Sequence, residues 1–273
     1  MRGWRWVAPA VAVLLLVTAW PIGRAVWTSL SSRPLTSPDD RSFVGLDNYA
    51  DLLSSRTWWL AVAVTLTIVV LMVTLQLVIG FAFAAALRRL VLLWPVAQLL
   101  VLLPFALLSV VSAVVWRDAV TTGFAVEWFR LDDVGPVGAL VATCLGEVWR
   151  GTGITAIILL AGMRRVSSSL MASAVADGAT GLQRFRRVVL PAMGPAVAVA
   201  TVYRALDAFR VLEGPIVADE PGAAVRTAPF LVWDTTFSSF ELGLGASMSI
   251  VLLLIAGVLA AVLVPLARVR RVV

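Results

Sequence analysis

The sequence predicts an all-α membrane protein with six transmembrane helices in a single domain. Of its 273 residues, 60% are hydrophobic and only 14% are charged, whereas soluble domains carry about 25% charged residues. Several apolar stretches exceed the roughly 18 residues that indicate a membrane span. Because these stretches are so long and so numerous, a soluble protein with an unusually large core is excluded.

Each predicted span corresponds to one apolar stretch bounded by polar residues. The first stretch follows Arg2 and Arg5, as in a signal peptide, but it continues past Trp20 and Trp27 without a small-residue cleavage site. We therefore expect it to be retained as a span. The whole chain, 1–273, is expected to form one permeation domain. Its spans cover about 7–30, 59–87, 91–116, 138–163, 192–217 and 243–267.

The distribution of positive charge predicts the orientation in the membrane. All 22 basic residues are arginines, and they flank the apolar stretches instead of forming one polar domain. The high isoelectric point therefore does not indicate nucleic-acid binding. One set of segments carries twelve arginines and a single acid, Asp177. The positive-inside rule places this set, with both termini and the 164–191 loop, in the cytoplasm of a cell membrane.

The residue types exclude most chemistry in this chain. Without lysine there is no G-x-x-x-x-G-K-[ST] phosphate loop, and without histidine the usual metal-ligand and general-base sets are missing. The one cysteine, Cys144, lies in an apolar stretch and is expected to be an inert buried thiol. We therefore expect no catalysis, no metal and no cofactor in this chain.

The 164–191 loop carries the most specific motif, SLMASAVADGATGLQRFRRVVLP at residues 169–191. It resembles the signature loop of ABC importer permeases, which reads Glu-Ala-Ala, three residues, Gly, nine residues, an aliphatic residue, any residue and Leu-Pro. Ala172 replaces the family's glutamate, so one expected polar contact is in doubt. The resemblance implies docking on an ATPase through Ala172, Ser173, Ala174, Asp177, Gly178, Arg184, Val188, Leu190 and Pro191.

Simple physical chemistry accounts for this loop. Small residues at 172–176 would let a short helix pack into a cleft of a partner, and Gly178 would supply a turn that side chains hinder. Pro191 would begin the next span, where its missing N–H costs little. Arg184, Arg186 and Arg187 would face either the ATPase or anionic lipid head groups. The alternative is an ordinary basic cytoplasmic loop.

A second resemblance narrows the family to carbohydrate importers. It rests on FVGLDNY at 43–49 and WPIGRAVWTSL at 20–30. Three further segments, at 160–163, 206–210 and 242–246, are similar to the first permease of actinobacterial trehalose importers. The resemblance implies the ABC type I importer permease fold, with a cytoplasmic coupling helix between helices 4 and 5.

The same resemblance implies a division of labour among subunits. An extracytoplasmic sugar-binding lipoprotein would deliver a disaccharide such as trehalose. A second permease would form a heterodimer with this chain, and an ATPase dimer would bind ATP and Mg²⁺. Membrane lipids would be the remaining partners.

Charged residues within the spans are candidates for the substrate path, because charge at membrane depth is costly. Spacings of three put them on shared helix faces, and Glu147 lies about 14 Å from the outer end of its span at 1.5 Å per residue. The groups of spans four and five should therefore meet near the midplane. They would either bind sugar, with Trp149 as a stacking face, or form a structural ion-pair network. The candidates are Glu147, Trp149, Arg150, Tyr203, Arg204, Asp207 and Arg210.

Other readings remain open at this point. Single polar residues such as Gln76, Gln98 and Ser112 are weaker candidates, since they often serve helix packing. Four arginines within the spans would also suit a permease for glycerol phosphate or another small solute. A non-ABC secondary transporter would more often show an internal repeat, and a membrane scaffold would need no intramembrane charges.

Overall fold

The computed structural model describes residues 4–32, 42–90, 94–121, 135–211 and 226–267, which are mostly helical. Short strands β1 (Ser31–Ser32) and β2 (Ser42–Phe43) pair antiparallel. A 3₁₀ turn covers Leu103–Ala106, and π-helical turns cover Phe185–Val189 and Asp234–Ser238. The α-helices are α1 (Trp4–Ser29), α2 (Asp47–Ser54), α3 (Arg56–Arg89), α4 (Trp94–Leu102), α5 (Ser109–Thr121), α6 (Gly135–Arg164), α7 (Ser168–Ala176), α8 (Gly181–Arg184), α9 (Leu190–Ala192), α10 (Gly194–Ala208), α11 (Ala228–Trp233) and α12 (Leu242–Ala267).

The chain divides into two compact units. One contains Met1–Val62 and Ala228–Ile255, and the other contains Ala63–Thr227 and Ala256–Val273. The boundaries fall inside α3 and inside α12. No independent soluble domain was predicted, and both units contain parts of apolar helices.

Four helices are individually long and apolar enough to cross a membrane: α1, α3, α6 and α12. They correspond to the first, second, fourth and sixth predicted spans. The third predicted span is instead a bent pair, with 91° between α4 and α5, and α10 of the fifth predicted span forms a second bent pair, at 72°, with the 181–192 segment before it. The described part of the chain thus holds four spans, or six if each bent pair crosses once. Residues 91–93 and 212–217 of the predicted spans lie outside the described residues.

Prolines accompany both breaks. Pro104 lies at the start of the 3₁₀ turn that ends α4, and Leu107 after it is extended with ψ 147°. Pro191 and Pro195 flank the second break, where Met193 separates α9 from α10. Proline removes a backbone donor and clashes with the preceding turn. The continuous helix predicted over 91–116 is therefore interrupted, whereas the one predicted over 192–217 begins at its break and continues as α10.

In the first unit, the FVGLDNY segment folds back onto the end of α1. Asn48 Nδ2 donates to the Ser29 and Ser31 carbonyls at 2.7 and 3.2 Å, and the Tyr49 and Ser29 hydroxyls lie 2.6 Å apart. The Phe43 ring packs 6.1 Å from that of Trp27. The carbonyls at the end of a helix need hydrogen-bond donors, so Asn48 caps α1 and fixes its exit.

In the second unit, a buried apolar cluster joins α3, α6 and α10 to the loop after α6. Its fully buried members include Ala84 of α3, Leu159 of α6 and Ala200 of α10, with Val189 and Met193 from the connecting segment. These contacts hold the 165–193 segment against the ends of α3 and α6.

Candidate functional site

The loop after α6 forms a short helix with most of its residues exposed. Ser167 is the N-cap of α7, and its Oγ accepts from the Ser169 N–H at 3.2 Å, which satisfies one of the helix's first donors. None of the residues of α7 is buried, and Ala172 and Ser173 are exposed. The small side chains at the motif positions therefore form an accessible, shallow surface.

The turn predicted at Gly178 is confirmed in its geometry. Gly178 has φ +73°, a region that costs other residues about 1–2 kcal/mol. Its N–H donates to the Val175 carbonyl at 3.0 Å, and the Ala179 N–H donates to the Ala174 carbonyl at 3.0 Å. This pair of bonds is the Schellman motif that ends a helix. Asp177, the C-cap, is exposed beside it.

The chain then re-enters the fold through a second short helix. Thr180 and Gln183 form a capping box at the start of α8, and Phe185 packs edge-on against Phe81 of α3 at 5.6 Å. Val188 is half-buried, while Leu190 and Pro191 are exposed in the first turn of α9. The motif thus forms two short helices joined by a turn. The first helix, α7, is exposed, and the segment after the second helix, α8, packs against α3.

The charged residues of α6 and α10 form one cluster with Gln76 of α3. Arg204 is completely buried; its Nε donates to Gln76 Oε1 at 2.8 Å and its Nη1 to Asp207 Oδ2 at 2.7 Å. Gln76 Nε2 in turn donates to the Glu147 carbonyl at 2.9 Å. One buried glutamine therefore connects the two charged helices to α3.

A second ion pair completes the cluster. Arg150 donates from Nη2 to Glu147 Oε2 at 2.6 Å, and its Nη2 also lies 3.6 Å from Asp207 Oδ2. The charged groups of α6 and α10 therefore meet, as their depths in the spans predict. Two arginines balance two carboxylates, so the cluster is neutral and avoids the cost of a net buried charge.

Exposure divides the cluster into a buried part and an accessible part. Glu147 and Arg204 are 4% and 0% exposed, whereas Arg150 and Asp207 are 14% and 19% exposed. Arg210 is 80% exposed, and its Nη2 lies 3.9 Å from Asp207 Oδ1, so it contributes little. A ligand could reach Arg150 and Asp207 but not Arg204.

Of the two aromatic residues of the predicted path, Trp149 points away from Glu147, and Tyr203 lies beside Arg204. Trp149 is two positions from Glu147, and so about 200° around the helix at 3.6 residues per turn. Its ring packs 6.3 Å from that of Trp116 of α5. Tyr203 is half-exposed, with the Arg204 guanidinium 5.8 Å from its ring centre. Among the described residues, neither aromatic side chain donates a hydrogen bond to these carboxylates.

Three neighbours of the cluster are indicated only weakly, or not at all, by the sequence. Gln76 was a weak candidate, yet it lies at the centre. Phe105, in the 3₁₀ turn, has the Arg150 guanidinium 5.8 Å above its ring, within cation–π range. At Gly151 a side chain would collide with the Arg204 guanidinium and Gln76. The one sequence signal is the group of glycines at 146, 151 and 153, since small residues permit close helix contact.

Metal binding finds no support in the described part of the chain, where no three His, Cys, Asp or Glu side chains are grouped for it.

No model of a protein family matches the chain. Comparison with individual proteins nevertheless assigns it to a family. It is 35% identical over 251 residues to the trehalose transport system permease protein SugA of Mycobacterium tuberculosis, covering 90% of this chain and 82% of that protein. The chain belongs to the permeases of ABC sugar importers.

Further relatives agree with this assignment. The permease is 28% identical over 259 residues to the trehalose/maltose transport system permease protein MalF of Thermococcus litoralis, covering 91% and 87% of the two chains. A crystal structure of a bacterial alginate ABC transporter, in complex with its alginate pentasaccharide-bound periplasmic protein, has the same fold. It matches 98% of the permease and 96% of that chain with a TM-score of 0.72 at 20% identity. The permease is thus a multi-pass membrane subunit of an ABC sugar importer.

Proposed function

We propose that this permease forms half of the translocation path of an ATP-driven importer for a disaccharide such as trehalose. The observation that carries the proposal is the 35% identity to a trehalose permease across 90% of the chain. The neutral polar cluster adds support, because an otherwise apolar chain retains costly intramembrane charges where they serve a path or a partner.

In this proposal the single domain crosses the membrane six times, with both termini in the cytoplasm. Each bent pair then contributes one span. Met193, directly after the 164–191 loop, lies at the cytoplasmic edge of the bilayer, whereas the break at Pro104 lies within it. Non-helical backbone is tolerated there only when protein or a water-filled cavity surrounds it. The contact of α4 with α6 supports this, since a side chain at Gly153 would collide with the Val101 carbonyl.

Coupling to the ATPase would occur through α7 and the turn at Gly178. The exposed side chains of Ala172 and Ser173 are small enough to enter a cleft of the ATPase. A displacement of α7 would reach α3 through Phe185, which packs against Phe81. ATP and Mg²⁺ would bind to the ATPase dimer, because the permease contains no lysine for a phosphate loop. The alanine at 172 removes the family's usual acidic contact, so docking would rely on shape.

The substrate path would use the accessible side of the cluster. Arg150 and Asp207 supply a donor and an acceptor for sugar hydroxyls, and Phe105 offers an apolar ring beside them. Glu147, Arg204 and Gln76 would hold these groups in place. Trp149 and Tyr203, both half-exposed, would stack on sugar elsewhere along the path. The remaining partners would be a second permease in a heterodimer and an extracytoplasmic sugar-binding lipoprotein.

Uptake by cells tests this proposal. Cells that depend on the permease should accumulate labelled trehalose, and excess unlabelled trehalose should compete. Glycerol 3-phosphate should compete at least tenfold less well. Phe105→Ala should weaken the apparent affinity for trehalose, while Phe83→Ala, at an exposed position on α3, should not. Stronger competition by glycerol 3-phosphate than by trehalose would instead establish the phosphate ester as substrate.

A further inference from the structure

An open cavity of about 510 Å³ lies in the second unit, between the C-terminal end of α3, the end of α6 and the α7–α8 segment. Three arginines line it: Arg88 and Arg89 from the last turn of α3, and Arg184 from the end of α8. Its volume is within the range of pockets that hold small ligands or head groups. It is separate from the charged cluster described above.

The charge of this cavity has one sign. No Asp or Glu lines it, and within the described ranges none of the three arginines forms an ion pair. Arg184 Nε is buried and has no acceptor, and a buried donor without an acceptor is costly. The cavity is therefore built for an anion.

The other wall of the cavity is apolar. Phe81 and Phe185 meet edge to face there, with Met163 and Met171 beside them. Side chains that continue the same face of α3, such as Leu71 and Val78, are exposed. An occupant with an anionic head and an apolar body would satisfy both walls, and free inorganic anions would satisfy only one.

We propose that this cavity binds the phosphate head group of an anionic phospholipid, whose acyl chains lie along α3. Two of its arginines end a membrane-spanning helix and so lie at head-group level, and basic pockets between spans bind such head groups. An acidic segment of the ATPase is the competing occupant. The lipid is favoured because Met171 turns toward the cavity, while the neighbours Ala172 and Ser173 face outward.

A bound lipid would lie directly behind the coupling helix. It would contact Arg184, which follows the Gly178 turn, and so fix the position of α7 relative to α3. This consequence rests on the proposed coupling function, whereas the binding itself does not.

The test measures lipid binding to the purified full-length permease complex in neutral detergent. Phosphatidylglycerol and phosphatidylcholine are titrated and bound lipid is counted by native mass spectrometry. Phosphatidylglycerol should bind saturably and at least tenfold more tightly than phosphatidylcholine, and more weakly as salt rises. Arg184→Gln, and separately Arg88→Gln with Arg89→Gln, should each reduce that affinity at least tenfold.

Arg187→Gln is the matched control, since it removes an exposed arginine of the same segment outside the cavity and should leave affinity within twofold. Arg88 and Arg89 are exposed, so their variants should fold even if Arg184→Gln does not. Equal affinity for the two lipids would overturn the proposal. The proposal would also be overturned if inorganic phosphate bound to the complex and phosphatidylglycerol did not. Variants that lose the ATPase but keep the lipid would overturn it as well. The binding assay contains neither sugar nor ATP, so its result does not depend on whether the permease transports trehalose.

Discussion

Replacing Asp207 by alanine removes the carboxylate that accepts from Arg204 at 2.7 Å and lies 3.6 Å from Arg150. Arg204, which is fully buried, would keep only Gln76 as an acceptor. Removing one partner of a buried pair costs about 3–5 kcal/mol, and an arginine at the centre of a membrane helix costs about 2.5–3.5 kcal/mol. Because Asp207 is partly exposed, we expect the lower end, about 3 kcal/mol, which is roughly a hundredfold in an equilibrium constant.

The double variants make this prediction specific. Asp207→Ala with Arg204→Met removes both charges while keeping side-chain volume, and should recover about 2 kcal/mol of the loss, since contacting residues are coupled. Asp207→Ala with Arg210→Ala should recover almost nothing, because Arg210 is exposed and 3.9 Å away. The assay is the thermal unfolding midpoint and the yield of monodisperse complex in detergent.

Two results would refute the reasoning. One is an unchanged midpoint in Asp207→Ala, and the other is equal recovery by the two double variants. Uptake kinetics on the same variants separate structure from binding. Normal assembly with a weaker apparent affinity for trehalose would mean that Asp207 contacts sugar instead of holding Arg204.

Three further predictions follow from single positions. Gly151→Ala should lower the unfolding midpoint by several degrees because its side chain would collide with Arg204; an unchanged midpoint would contradict the close contact. Gly178→Trp should insert normally but lose the ATPase on co-purification, whereas Gly178→Ala, with only its backbone strained, should retain most of it; retention by both would argue against docking there. In a Cys144→Ser background, a cysteine at Ser42 should react with an impermeant maleimide in intact cells, and labelling only after permeabilisation would reverse the topology.

Hydropathy and length were enough to predict the apolar helices, but not which of them are continuous. Pro9 and Pro21 lie inside α1 and Pro265 inside α12, whereas Pro104 accompanies a break. The residue type is the same in each case. The neighbouring helices decide whether the freed backbone groups are satisfied, and a single sequence does not contain that information.

In the candidate site too, local features were predictable from the sequence, and contacts between distant helices were not. Spacings of three predicted which charges share a face of α6 or α10, since that depends only on helix geometry. Gln76 comes from α3, and no spacing reveals which distant helix approaches. The need for a glycine at position 151 becomes clear only from the structure, in which Arg204 lies against it. In the loop, by contrast, Gly178 was predictable because a Schellman turn is a local structure.

We propose that the permease moves sugar with energy from an ATPase docked on its 164–191 loop. The most direct measurement is uptake by proteoliposomes that contain the complex purified through this chain, with labelled trehalose and its binding protein outside and ATP inside. We expect trehalose to accumulate above its external concentration, and we expect this accumulation to stop without ATP and in Gly178→Trp. Equilibration that is independent of ATP, or a purified chain without any ATPase, would contradict this proposal.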